Sequence, residues 1–201
     1  MQNFVEQIYR KRNDYKGIIF LDRDGTINKY LDYLKDVNRI EILPKVIDAI
    51  KHLNKYNIAI LVITNQPLVA RGLASIKDVK KINDELVGIL NNNEAYIDAI
   101  YSCPHHPEKN HSDIPAYAMK YRIDCDCRKP QTAMFKKAVE NYGDKKLFGM
   151  IGDHGRDILA GKNFGIKTVL LKNDQTEDNE LQNTSPDFIC DNLLDAVRIL
   201  L

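Results

Sequence analysis

The sequence has almost no excess of charge of either sign: 29 Lys and Arg stand against 28 Asp and Glu in 201 residues, a net charge of +1. The charges are spread along the chain, so their balance supplies no basic surface for nucleic acid or an anionic membrane. Long apolar runs are missing too. The longest, Ile58 to Ile63, is far short of the roughly 20 residues that cross a bilayer. Met1 to Lys16 carries polar and charged residues where a secretory signal needs an apolar stretch of about 7–15. A cytoplasmic location with no membrane or nucleic-acid partner is therefore expected. No internal repeat is visible. Cysteine is scarce, at four, an even number that would suggest two bridges in a secreted chain; in reducing surroundings a chain of this length needs none, and spacing must decide their role.

What is present is ordinary for one globular domain: 44% hydrophobic and 28% charged residues, enough for a sizeable core. After residue 17, strand-like and helix-like segments alternate, the pattern of a parallel sheet flanked by helices. Gly17 to Leu21 and Ile58 to Thr64 read as strands buried on both faces. Tyr96 to Ser102, Phe148 to Ile151, Ile166 to Leu171 and Phe188 to Cys190 read as further strands. Helices are predicted after Pro44, after the capping residue Ser75, around Met134 to Tyr142, over Gly155 to Phe164 and at the end of the chain. The expected fold is α/β, a single doubly wound, mainly parallel Rossmann-like sheet. Residues 1–16, with a weak helical spacing of Phe4, Val5 and Ile8 before a basic run, read as a lead-in or linker, which leaves 17–201 as the domain.

Four polar pieces fall at the ends of predicted strands, where a doubly wound sheet places its ligand. Asp22-Arg23-Asp24-Gly25-Thr26 follows the first buried strand. Its two carboxylates can converge on one site while Gly25 permits a sharp turn, and a divalent cation would relieve their repulsion. Thr64-Asn65 offers a hydroxyl and an amide to a phosphate, Arg128-Lys129-Pro130 supplies fixed positive charge, and Asp153, in Gly152-Asp153-His154-Gly155-Arg156-Asp157, is an oxygen ligand suited to a hard cation. Singly, each piece could be a turn, a helix cap or a solvated surface. Jointly, in this order, they make a phosphoryl-transfer site.

From Cys103 to Arg128 sustained periodicity gives way to prolines, histidines and charges, a loop of functional length. Cys103-Pro104-His105 and Cys125-Asp126-Cys127 supply three thiolates and an imidazole, the closed tetrahedral shell of a structural Zn2+. Two disulfides would have to include Cys190, in a segment that reads as a buried strand, so zinc is the preferred reading; His106 or His111 could replace His105. The loop ends where Arg128-Lys129 begins, so a metal holding Cys125 and Cys127 would also position Lys129.

At these residues the sequence resembles the haloacid dehalogenase superfamily of phosphohydrolases. The zinc half-sites, together with Phe20 to Asn28, Thr64-Asn65-Gln66 and Arg128-Lys129-Pro130, narrow the resemblance to the D-glycero-D-manno-heptose 1,7-bisphosphate 7-phosphatases. Histidinol-phosphate phosphatases share the zinc loop and give the alternative, with a noncatalytic zinc module that binds a phosphorylated ligand as a rival of another class. The resemblance implies that Asp22 is the nucleophile forming an aspartyl-phosphate and that Asp24 is the general acid/base. It implies Mg2+ held by Asp22, Asp153 and the Asp24 backbone carbonyl, with Asp157 in or near the surrounding shell. Thr64 and Lys129 would bind the transferring phosphoryl group, and Asn65 and Arg128 would help hold a small phosphorylated sugar in a surface-sugar pathway. Little room remains for a large cap domain, so specificity is expected to fall to the zinc loop, 103–127, and to Asn28 through Tyr33. Pro67-Leu68 stands where typical members read Ser-Gly, and Ala133 where they have glycine. The long loop and basic lead-in resemble a subgroup joined to a sugar-nucleotide transferase. A monomer is expected.

Overall fold

A computed structural model describes residues 4–107, 114–172 and 184–201. Seven strands form one sheet: β1 (Val5–Ile8), β2 (Gly17–Leu21), β3 (Ile58–Asn65), β4 (Ala99–Cys103), β5 (Lys146–Gly152), β6 (Thr168–Leu171) and β7 (Phe188–Cys190), in the order β1-β4-β3-β2-β5-β6-β7. Every pairing is parallel except β1 with β4, which is antiparallel. The helices are α1 (Val46–Lys55), α2 (Ile76–Asn92), the single-turn α3 (Ala116–Met119), α4 (Ala133–Tyr142), α5 (Gly155–Phe164) and α6 (Leu193–Leu200).

The central strands are apolar on both faces because helices cover both. In β2, Ile19 and Leu21 pack with residues of α1, α2 and α6, whereas Ile18 and Phe20 pack with those of α4 and α5. The chain builds outward from β2 through β3 to β4, then returns to lay β5 on the opposite side of β2. The carboxyl ends of β2, β3 and β5 therefore flank the crevice at a topological switch point. The capping box predicted at Ser75 is formed: Asp78 and Ser75 exchange side-chain and backbone hydrogen bonds at the start of α2.

The expected lead-in is corrected. Val5–Ile8 is not helical and does not stand apart from the domain; it is the edge strand β1, in register with Ala99–Ser102. Tyr15 is buried, and its hydroxyl donates to the buried carboxylate of Asp98. Val5-Glu6-Gln7-Ile8 runs apolar, polar, polar, apolar, so this short edge strand lacks the alternation that marks a strand.

Candidate active site

Asp22 leaves the sheet directly after β2, its backbone N–H still bonded to the Ile151 carbonyl of β5 at 2.9 Å. Its carboxylate accepts from the Arg23 N–H at 2.7 Å and from Lys129 Nζ at 2.8 Å. The same Nζ lies 2.6 Å from Asp157 Oδ1, and both Lys129 and Asp157 have fully buried side chains. One ammonium thus faces two carboxylates. Burial, followed by the charge of Asp157, pushes the Asp22 carboxyl up to about 6 against the opposing pull of Lys129. Burial would discharge Lys129, but the two carboxylates prevail and raise its pKa.

Asp24 stands differently. Its oxygens accept from the guanidinium of Arg23 at 3.2 and 2.8 Å, from Asn28 at 2.9 Å and from Gln66 at 2.9 Å. Burial would raise its pKa, but the charge and hydrogen bonds of Arg23, then those of Asn28 and Gln66, outweigh it and hold the carboxyl below its ordinary value. Two carboxylates two residues apart are therefore separated in acidity by their surroundings.

Thr64, the penultimate residue of β3, accepts from Gln66 through its hydroxyl at 2.9 Å. Asn65 reads the backbone of Lys129 from both sides, donating to its carbonyl at 3.1 Å and accepting from its N–H at 3.0 Å. Asp153 is fully buried at the end of β5, with His154 Nδ1 at 3.0 Å. Burial disfavours the His154 cation, yet the hydrogen bond and charge of Asp153 raise its pKa. Gly25 has φ +82°, and a Cβ there would fall 1.9 Å from Asp153 Oδ2, so the absent side chain is what lets the two strand-end loops touch. Asp157 spends its second oxygen on the His154 N–H at the start of α5.

Tyr30, Tyr33, Arg71, His154 and Arg156 line one cleft, which Asp153 and Asp157 do not line. Asp22, Asp24, Thr64, Asn65 and Lys129 all line it. Arg128 does not; its guanidinium donates to the His105 carbonyl at 3.2 Å, and it borders a separate hollow with His106 and Ile123. Specificity at the cleft was expected to fall in part to the zinc loop, whose residues 108–113 lie outside the described ones. Among the described residues, none from 103 to 127 lines it, and Pro67, Leu68 and Arg71 take that place. The 28–33 segment does contribute, through Tyr30, Leu31 and Tyr33.

Cys103, His105, Cys125 and Cys127 gather their ligand atoms within 4.8 Å of one another. Sulfur–sulfur separations are 3.2–3.7 Å, and His105 Nδ1 lies 3.6 and 3.3 Å from Cys103 and Cys127. A tetrahedral Zn2+ with bonds of about 2.3 Å to sulfur would space its thiolates by about 3.8 Å. The donor set therefore fits a zinc ion with little adjustment. None of the four cysteines is in a disulfide, and Cys190 sits apart in β7, so the two-disulfide pairing is not formed in this structure. His106 is outside the cluster and His111 lies outside the described residues. Burial pushes the Cys103 thiol up to about 12; its hydrogen bond to Cys103 and then burial do the same to Cys125. A cation is what such a crowded set needs before it can ionise.

The sequence assigned no part to Arg23, Gln66 and Asn83, which hold the expected groups, and read Asn28 only as the start of a specificity segment, although it donates to Asp24. Arg23 is 1% exposed and Asn83 fully buried, and Arg23 Nη1 donates to Asn83 Oδ1 at 2.7 Å. The available signal was positional, since Asn83 interrupts the apolar stripe of Val79, Leu86 and Leu90 on α2.

A family model described as "HAD-hyrolase-like" matches residues 126–196. D-glycero-beta-D-manno-heptose-1,7-bisphosphate 7-phosphatases from Haemophilus influenzae and Escherichia coli K12 are 32% and 33% identical, each over 90% of this chain and 95% and 92% of their own. The crystal structure of D,D-heptose 1.7-bisphosphate phosphatase from B. bronchiseptica, complexed with magnesium and phosphate, superposes with a TM-score of 0.74 at 26% identity, covering 91% of this chain and 97% of that one. A had-like phosphatase from Mesorhizobium loti gives a TM-score of 0.77 at 25% identity over 98% and 94% of the two chains.

Proposed function

This chain belongs to the D-glycero-β-D-manno-heptose-1,7-bisphosphate 7-phosphatase family of haloacid dehalogenase-like hydrolases, and from that membership we propose that it removes the 7-phosphate of this bisphosphate through an aspartyl-phosphate on Asp22. The observation that carries the reading is the Asp22–Lys129–Asp157 arrangement at the floor of the cleft, with Asp24 held apart on Arg23. Asp22 attacks phosphorus and the bond to the sugar oxygen breaks, the leaving oxygen taking a proton from Asp24. Water then attacks the phosphorus and gives Asp24 its proton, and the bond to Asp22 breaks. Arg23 keeps resting Asp24 in the ionised form that the second step requires. The negative charge of an arriving phosphate ester raises its proton affinity for the first step. Thr64 and Lys129 are assigned to the phosphoryl oxygens, and Asn65 to fixing the Lys129 backbone.

Mg2+ is assigned to Asp22, Asp153 and the Asp24 main-chain carbonyl, hard oxygen donors on the two loops that touch where Gly25 abuts Asp153. When bound, it would neutralise charge building on the phosphoryl group. Zn2+ is assigned to Cys103, His105, Cys125 and Cys127 in a structural part. Cys125 Sγ accepts from the Arg128 N–H at 3.4 Å and the Cys103 carbonyl accepts from the Gln66 N–H at 2.7 Å. The cluster thus touches both loops that carry phosphate-binding groups.

Arg71 and Arg156 on the cleft wall favour a substrate with a second phosphate over histidinol phosphate, because the charge of Lys129 is already shared by two carboxylates. The test is phosphate release from the heptose bisphosphate and from histidinol phosphate, with Mg2+ and with EDTA. Release from the bisphosphate with at least about tenfold higher kcat/KM, abolished by EDTA, is expected. A preference for histidinol phosphate would overturn the assignment.

A further inference from the structure

Arg23 carries a full charge at 1% exposure, and its carboxylate partner Asp24 answers only one side of the guanidinium. The other side meets a run of side chains with one consistent polarity. Arg23 Nη1 donates to Asn83 Oδ1 at 2.7 Å, Asn83 Nδ2 donates to Gln7 Oε1 at 2.9 Å, and Gln7 Nε2 donates to Asp84 Oδ1 at 2.7 Å. Tyr9 also donates to Asp84 Oδ1, at 2.8 Å. An arginine only donates and a carboxylate only accepts, so both amide orientations follow from the two ends. Two amide dipoles therefore lie head to tail between a buried cation and an exposed anion, an alignment in which each bond polarises the next.

We propose that Asn83, Gln7 and Asp84 are positioning residues that lock Arg23, and through it the carboxylate of Asp24, in the orientation that takes the proton from the attacking water. This rests on the aspartyl-phosphate reading and assigns to the edge strand β1 a part in the chemistry. The step is hydrolysis of the intermediate: the water oxygen bonds to phosphorus, the bond from phosphorus to the Asp22 carboxylate breaks, and the water proton passes to Asp24. Without Asn83 the guanidinium keeps a buried donor without its acceptor and is drawn out of its fork on Asp24. The attack by Asp22 on an ester with a good leaving group needs no proton and is spared.

Asn83→Leu, Gln7→Leu and Asp84→Asn are assayed in the full chain with Mg2+ and p-nitrophenyl phosphate, whose leaving group departs unprotonated. The expected result for Asn83→Leu is a fall of about tenfold or more in both kcat and KM with kcat/KM kept within about threefold, since kcat/KM reports only the steps through phosphoryl transfer to Asp22. Acid-quenched intact-mass spectra should show more chains carrying one phosphoryl group than in the wild type. Gln7→Leu should change in the same direction. Asp84→Asn, at the exposed end, should do so by about two- to threefold, and these two variants decide the matter if Asn83→Leu does not fold. Parallel loss of kcat and kcat/KM, or unchanged kinetics, with no gain of phosphoryl-enzyme would overturn the relay. Absence of any phosphoryl adduct together with full turnover by Asp22→Asn would instead overturn the covalent reading on which it rests.

Discussion

Lys129 serves two carboxylates and its own loop at once. Its ammonium bridges Asp22 and Asp157, and its backbone is read twice by Asn65. Asp22 is ionised there at a cost, since its pKa is raised by burial and by Asp157. The sign follows. A carboxyl whose folded pKa lies above its unfolded value subtracts stability once the pH exceeds the unfolded pKa, so making it neutral should not weaken the fold. Asp22→Asn is therefore expected to lower turnover by a factor on the order of 10⁴ while its melting temperature stays equal or rises. Calorimetry beside a phosphate-release assay checks both halves, and wild-type turnover would remove Asp22 from the nucleophile's place. At this scale the chemistry was legible wherever it lay in a local run, as in Asp22 to Thr26 or Cys125 to Lys129. Arg23 and Asn83 were not, because their meaning depends on a contact 60 positions apart.

Among the elements, the buried parallel strands were read within a few residues because apolar runs such as Gly17–Leu21 have no other stable use than a covered sheet. β1 was missed because an edge strand of four residues with one covered face has too little pattern to declare itself. The Cys and His spacing of the zinc loop pointed to the four side chains that gather in one cluster, whereas no described residue of that loop lines the cleft. Spacing reveals which side chains can share an ion, whereas the direction in which the rest of the loop faces is set by packing. Its link to Lys129 through Cys125 and the Arg128 N–H gives a prediction. Cys125→Ser should reduce bound zinc, measured by elemental analysis, and lower kcat about tenfold at a temperature where circular dichroism shows an intact fold. Zinc loss without any change in turnover would leave the metal a purely structural staple.

For the whole molecule, one doubly wound sheet places the ends of β2, β3 and β5 so that Asp22, Thr64 and His154 reach one crevice from three distant parts of the chain, with Asp153 buried against Gly25. That convergence was readable from the order of strand-end motifs, since the switch point of such a sheet follows from topology. The cleft walls were only half readable, because residues 28–33 and 66–71 meet there through loop packing and not through periodicity. Near-neutral net charge is compatible with the proposed small substrate, whose phosphates would be met locally, by Thr64 and Lys129 and by Arg71 and Arg156, all of which line the cleft. Cleavage of one particular phosphate of a sugar bisphosphate in this crevice is tested most directly by phosphorus NMR of D-glycero-β-D-manno-heptose 1,7-bisphosphate incubated with the protein and Mg2+. Loss of the 7-phosphate resonance, growth of inorganic phosphate and retention of the 1-phosphate are expected. Loss of the 1-phosphate first, or no release from either position, would contradict this expectation.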